Sequence, residues 1–344
     1  MKKHASVIAL FVLASFCAFQ VSAPRHHSSA QSGLPALTQV QGTPALAPPK
    51  TPTSFSFVVA GDNRPPSSSQ ESDIFASLPA KLSATGASFA IWTGDIVYGK
   101  VKDPQKDKDK IKKEYETFEG IIAKANLPVF NAPGNHEMEK KGNVPDPTGT
   151  LVKYYEKWVA PQYGYFTYGN SAFIALNTDD NVSPSSSAEE DETYAGNVGA
   201  DQLAALSATL TTLAADSSIA HIFVFMHRPI HATPGHSFDA LGPPSGPLVQ
   251  ALLEDYTKFP NLSFVFAGHQ HLFYANPPAA PYGPNFSRTD PASAPPLFLI
   301  SGGAGACVAG SPQTGGFYNY LVFTVNGAQV NATVYNLGST QNGC

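Results

Sequence analysis

Five segments of the chain end an apolar run in a turn that carries Asp, Asn or His. Phe57-Val58-Val59-Ala60 leads into Gly61-Asp62-Asn63-Arg64, and Ala90-Ile91-Trp92-Thr93 into Gly94-Asp95-Ile96-Val97-Tyr98. Val129-Phe130-Asn131-Ala132-Pro133 leads into Gly134-Asn135-His136-Glu137. Phe223-Val224-Phe225-Met226 leads into His227-Arg228-Pro229, and Phe264-Val265-Phe266-Ala267 into Gly268-His269-Gln270-His271. Imidazole, carboxylate and amide oxygen together suit zinc, iron or manganese, and these turns offer no thiolate. Two such ions roughly 3.5–4 Å apart can share a carboxylate and a hydroxide, then clamp a phosphate in line.

The elements that must hold these side chains follow from the same pattern. Strand-like runs cover 55–60, 88–92, 129–131, 172–177, 222–226, 262–267 and 297–300. Helix-like segments lie near 72–84, 109–125, 201–214 and 248–258. Alternation of the two predicts an α/β fold. In such folds ligands gather beyond the carboxyl ends of strands, where all five turns fall. The chain closes with 320–325, an Asn326-Gly327 turn and 329–335, a strong hairpin signal. Polar insertions near 100–110, 139–150, 181–192 and 276–296 read as surface loops.

Composition narrows the function. Of 344 residues, 42% are hydrophobic and 14% charged, which supports a large core. The net charge of −5 gives no broad basic surface and argues against binding of bulk nucleic acid. Lys2 and Lys3, the apolar run Val7 to Phe19, and Val21-Ser22-Ala23 have the order of a secretory signal peptide over residues 1–23. The run is too short for a membrane span. Residues 24–53, rich in Pro, Ser, Ala and Gln, read as a flexible tether, leaving 54–344 as one catalytic domain. Secreted or periplasmic location follows as an expectation. There Cys307 and Cys344 either pair or remain free thiols.

The five motifs, in order from Asp62 to His271, resemble those of the calcineurin-like metallophosphoesterase superfamily. The resemblance implies a two-sheet mixed β-sandwich flanked by helices, in four layers, with a pair of metal ions. Residue by residue it implies that Asp95 bridges both ions. Asp62 and His271 complete the first site; Asn135, His227 and His269 complete the second. His136 would stand over the substrate oxygens and stabilise or protonate the leaving group. A bridging hydroxide would be the nucleophile, and Glu137 would orient His136 or a neighbour.

One position departs from the pattern. The common first block is Asp-x-His, with the His a ligand; Arg64 stands there instead and cannot ligate. Tyr98 can replace it. Gly94-Asp95-x-x-Tyr98 resembles the purple acid phosphatase branch, whose tyrosine binds ferric iron, although Asn63-Arg64 does not match that branch's first block. The alternative for Tyr98 is a packing role. Arg64 can fork onto phosphate oxygens or make a salt bridge. His231 and His236 can line the substrate mouth, and His231 joins Arg64 as a candidate substrate contact. The resulting expectation is a small phosphorylated substrate, first a phosphomonoester. A phosphodiester or nucleotide is the alternative, and a non-catalytic metal-stabilised binding protein is the reading from another class.

Overall fold

The computed structural model describes residues 33–67, 71–180, 196–276, 285–288 and 294–339. The expected signal peptide, the start of the tether, most of the 181–192 and 276–296 loops, and Cys344 lie outside the described residues. Cys307 is disulfide-bonded.

In chain order the first elements are β1 (Ser54–Ala60), α1 (Asp73–Ser83), β2 (Phe89–Trp92), α2 (Lys108–Ile122), β3 (Val129–Asn131) and the single turn α3 (Asn135–Met138). Then come β4 (Glu139–Lys140), β5 (Val144–Pro145), α4 (Thr150–Trp158), β6 (Gly164–Tyr168), β7 (Ser171–Ala175) and α5 (Ala200–Ala215). The chain continues through β8 (His221–Phe225), α6 (Ser245–Glu254), β9 (Leu262–Ala267) and β10 (Phe273–Asn276). It ends with β11 (Asn285–Arg288), β12 (Leu297–Ser301), β13 (Asn319–Asn326) and β14 (Gln329–Asn336).

Two six-stranded mixed sheets result, in the orders β11-β14-β13-β1-β2-β3 and β10-β12-β9-β8-β7-β6. Strands β1, β2 and β3 run parallel side by side, as do β7, β8, β9 and β12. Strand parity explains the layering. Phe57, Val59, Phe89 and Ile91 of the first sheet meet Phe173, Phe223 and Phe266 of the second in one aromatic core. Phe57 stacks on Phe89 at 5.5 Å and meets Phe173 edge-on at 5.0 Å. The alternate residues Val58, Ala60, Ala90 and Trp92 face outward to Phe75, Tyr115 and Phe118 of α1 and α2. On the far side Ile222, Val224 and Val265 pack with Leu206 and Leu210 of α5 and Val249 of α6. Helix, sheet, sheet, helix is the expected four-layer order. Burial on both faces is also why the parallel strands read as continuous apolar runs.

The segment expected to be a free tether behaves differently from residue 33. Leu34, Leu37 and Val40 are buried. The Leu37 N–H donates to Tyr165 O at 2.9 Å, on edge strand β6, and the Val40 N–H to Val129 O at 2.7 Å, on edge strand β3. The physical reason is apolar spacing. Three hydrophobic residues recur every third position in an otherwise polar, proline-rich stretch, and they close the open side between two sheet edges. The final hairpin differs by one residue. Asn326 still pairs with Gln329, so Gly327 and Ala328 form the turn.

Candidate metal centre

All five turns meet at one end of the sandwich. Asp62 follows β1, Asp95 follows β2 and Asn135 follows β3, so three neighbouring parallel strands deliver three oxygen donors. His227 follows β8, and His269 and His271 follow β9, from the facing sheet. The loops are laced by backbone bonds. The Asp62 N–H donates to Gly94 O at 3.0 Å, and the Arg64 N–H to Asp95 O at 2.9 Å. The His269 N–H donates to the Asp62 carboxylate at 3.0 Å, and the His136 N–H to Asp95 Oδ1 at 3.0 Å. The glycine run after β12 serves the same scaffold: the N–H groups of Ala304 and Ala306 donate to Gly61 O and Asp62 O.

Two groups of donors emerge, and Asp95 belongs to both. Asp62, Asp95 and His271 bring one ligand atom each within 4.8 Å of one another, an arrangement that could hold a metal ion. The second group centres on His227 Nε2. It lies 3.0 Å from Asn135 Oδ1, 3.2 Å from His269 Nδ1 and 3.3 Å from Asp95 Oδ1. Donors bound to one ion at about 2.1 Å stand roughly 3.0–3.4 Å apart, so this spacing fits.

Proton positions at His227 and His271 strengthen the fit, whereas Arg228 Nη1, which only donates, faces His269 Nε2 at 3.2 Å and leaves that ring's proton on Nδ1. His227 Nδ1 faces Thr93 O at 2.8 Å, and a carbonyl only accepts, so Nδ1 carries the proton and Nε2 presents a lone pair. The Asn135 amide is oriented by Nδ2 donating to Glu139 Oε2 at 3.2 Å, which turns Oδ1 toward His227. His227 Nε2, Asn135 Oδ1 and Asp95 Oδ1 are therefore acceptors facing one another, an arrangement a cation satisfies. His271 repeats the logic: Nδ1 donates to Cys307 O at 2.9 Å, and Nε2 faces Asp62 Oδ1 at 3.6 Å.

Titration directions divide. Burial and the neighbouring Asp95 charge push the Asp62 carboxyl well above its ordinary value. Burial also opposes ionisation of Asp95, but His227, His136 and Arg64 outweigh it and hold that carboxyl low. Burial, then Arg228, depresses His269, and burial with Arg64 lowers His271 to about 4. Neutral imidazoles beside an ionised Asp95 suit a metal ion, whereas the raised Asp62 carboxyl must give up its proton to ligate.

The remaining expected residues divide. His136 sits beside the cluster, its Nδ1 bonded to Tyr98 O and its Nε2 3.9 Å from Asp95 Oδ2; burial lowers it to about 3. Glu137 orients a neighbour of His136: it accepts from the N–H groups of Gly134, Asp95, Ile96 and Val97. The Tyr98 ring meets His136 edge-on at 6.4 Å and carries the Lys110 ammonium 5.8 Å from its centroid. Among the described residues no hydrogen bond joins its hydroxyl to Asp62, Asp95 or His271. Arg64 places Nε 3.5 Å from Asp95 Oδ2, with the side chain 26% exposed. His231, expected at the substrate mouth, has partners of its own. Its Nε2 pairs with Glu254 of α6 at 2.7 Å and its ring packs edge-on against Phe298, partners that account for it structurally.

Three residues escaped the sequence reading. Arg228 is buried and donates to Asp179 at 2.7 Å and Glu139 at 3.0 Å, with Nη1 3.2 Å from His269 Nε2. Glu139 also accepts from Lys100. Asp239 reaches within 3.9 Å of His269 Nε2 and accepts from Gln270 at 2.9 Å. Arg228 directly follows His227, a position that could have drawn attention. Asp239 lies in an irregular stretch with no pattern to mark it.

A two-sheet sandwich with two donor groups sharing one carboxylate at its strand ends defines a class of metallohydrolase folds. The sequence matches the family model for calcineurin-like phosphoesterase over residues 55–273, and the chain belongs to that family of metal-dependent phosphoesterases. No curated protein matches the chain. Similar solved structures show the same fold. A dimetal phosphatase from Danio rerio is 12% identical, with TM-score 0.53, over 83% of this chain and 99% of that one. A purple acid phosphatase, PPD1, from yellow lupin seeds is 15% identical, with TM-score 0.56, over 82% of this chain and 51% of that longer one. GAP50, the anchor in the inner membrane complex of Plasmodium, is 15% identical, with TM-score 0.50, over 84% and 90%. Among the described residues no helix is long and apolar enough to cross a membrane.

Proposed function

We propose that this chain is a secreted or periplasmic hydrolase of phosphomonoesters that works with two metal ions. The observation that carries the reading is the placement of Asp95 in both donor groups. Asp62, Asp95 and His271 would hold one ion; Asp95, Asn135, His227 and His269 would hold the other. Tyr98, on the Asp95 loop, is proposed as a further donor if the first ion is iron. Two bound ions supply an acidified water and positive charge for an in-line displacement at phosphorus.

The protein's own groups do the rest. Arg64 stands at the rim with its guanidinium beside Asp95, able to fork onto phosphate oxygens. His136 donates its Nδ1 proton to Tyr98 O, which leaves Nε2 turned toward the cluster. Burial keeps the ring neutral; the negative charge of a bound phosphate would favour its protonated form. The proton at Nε2 would then meet the leaving-group oxygen. The order of charge, apolar run and small residues at the N-terminus, and a disulfide at Cys307, support the location outside the cytoplasm.

Hydrolysis of p-nitrophenyl phosphate and bis(p-nitrophenyl) phosphate tests the proposal, with and without a chelator and across added metals and pH. Faster turnover of the monoester, lost on chelation and in His227→Ala, is expected. A preference for the diester would overturn the monoester reading. No hydrolysis by folded, metal-loaded protein would favour the non-catalytic alternative. Elemental analysis and a visible absorption spectrum settle Tyr98: an iron–phenolate band should vanish in Tyr98→Phe, and an active colourless zinc or manganese protein removes it as a ligand.

A further inference from the structure

The two donor groups are not equivalent, and the difference lies in Arg64. Four side chains face the position around His227, and three face the position between Asp62 and His271. Beside the poorer group stands a permanent cation. Arg64 Nε is buried, has no hydrogen-bond partner among the described residues, and makes its ion pair with Asp95 Oδ2 at 3.5 Å. The backbone bond from the Arg64 N–H to Asp95 O anchors that placement. The Arg64 side chain is 26% exposed, so it has room to leave Asp95 for an anion at the rim.

We infer that Arg64 is a built-in competitor for the ion at Asp62, Asp95 and His271, and that an arriving phosphate draws it off. Metal loading is then stepwise: the Asn135–His227–His269 position fills first and the Arg64 side fills weakly. Phosphate binding relieves the competition, so phosphate and the weaker ion strengthen each other by the same factor, as linkage requires. A unit charge about 6 Å from a divalent ion, at an effective dielectric constant of about 40 to 80, weakens binding roughly tenfold to a hundredfold. The inference rests on the two-ion reading of the site and adds its regulation by the substrate's own charge.

Calorimetric titration of chelator-stripped protein with Mn²⁺, checked by equilibrium dialysis and elemental analysis, tests it with no activity readout. Wild type should bind two equivalents with dissociation constants at least tenfold apart. His271→Ala should remove the weaker step and His227→Ala the tighter. Inorganic phosphate should tighten the weaker step. Arg64→Gln should tighten that step in the absence of phosphate and shrink the phosphate effect, while Arg64→Lys, which keeps the charge, should behave like wild type. Thermal melts confirm that each variant is folded. Two equal steps in wild type, or a weaker step unmoved by Arg64→Gln, would overturn the inference alone. A folded wild type that binds no Mn²⁺ would overturn it together with the metal reading of the site.

Discussion

Glu137→Gln is the substitution whose consequences the structure specifies most fully. Glu137 is 1% exposed. Its Oε2 accepts from the Gly134 N–H at 2.6 Å and the Asp95 N–H at 3.0 Å; its Oε1 accepts from Ile96 at 3.0 Å and Val97 at 3.3 Å. Burial and the Asp95 charge push its carboxyl well above its ordinary value, against the pull of the backbone N–H groups; the hydrogen-bond geometry favours the opposite form. A proton on either oxygen would find only donors around it, so the carboxylate is the form this pocket accepts. Glutamine keeps the shape but turns one oxygen into NH₂, which must face two N–H groups. Two charge-assisted bonds are lost and buried donors are stranded, a cost of about 3–4 kcal/mol. That is a large share of the roughly 5–15 kcal/mol typical of a folded domain. The bonds hold the turn that carries Asp95, so affinity for both ions should fall roughly 10–100-fold. Urea denaturation of the stripped protein measures the first effect and Mn²⁺ titration the second. An unchanged urea midpoint together with both binding steps within about twofold of wild type would refute the reasoning.

Two further outcomes are expected. Arg228→Met strips the fully buried Asp179 of its ion pair, while Glu139 keeps Lys100, and should cost about 3–5 kcal/mol in urea denaturation, whereas loss of an exposed ion pair would cost under about 1 kcal/mol. Glu71 and Glu119 are each raised by burial from 4.5 to about 7, so the fold favours their protonated forms. The stability they contribute is present below pH 4.5 and is lost as pH rises to about 7. Both are partly exposed, so screening reduces each to about 1 kcal/mol. Thermal melts of stripped protein should therefore fall between pH 5 and 8, and Glu71→Gln with Glu119→Gln should flatten that slope; an unchanged slope would refute the assignment.

The fold was legible where one signal dominated. β1, β2, β3, β8 and β9 are buried on both faces, so unbroken apolar runs located them. α1 fell within the helix-like segment 72–84, and the structure shows Ser72 Oγ capping it by accepting from the Phe75 N–H at 3.1 Å, with Phe75, Leu78 and Leu82 buried. Other elements depend on distant partners. β6 is an edge strand buried only at its ends, Gly164 and Tyr168, and its segment 35–37 partner is far away in sequence. Composition spoke for a flexible stretch at 24–53, but within its described part Leu34, Leu37 and Val40 each gain a buried place that outweighs it. In the site, motif order identified the donors but not their supports. Arg228 and Glu139 act through one another across 89 residues, a pairing no local spacing reveals. His231 followed a strand end as a substrate residue would, yet Glu254 one helix away takes its nitrogen.

The backbone at the centre explains why the donors were legible at all. Asp62, Asp95 and His269 adopt φ of +58°, +52° and +67°, in the left-handed region that costs a non-glycine residue roughly 1–2 kcal/mol. Each is held there by bonds from another loop: the Asp62 N–H to Gly94 O, the Asp95 N–H to Glu137, the His269 N–H to Asp62. The strain is thus distributed over a mutual lattice in which every donor braces the next. The lattice also dictates what may precede a donor. Gly94 has φ +89°, and a Cβ there would lie 2.6 Å from Gly134 N and 2.9 Å from His227 Nδ1. A glycine before the donor is therefore a packing requirement of the assembled site. Arg64 sits outside this lattice, tied by its backbone N–H to Asp95 O and by the 3.5 Å ion pair of its Nε, which has no hydrogen-bond partner among the described residues. No hydrogen bond among the described residues fixes its Nε, so a bound anion can draw the guanidinium off Asp95 at low structural cost.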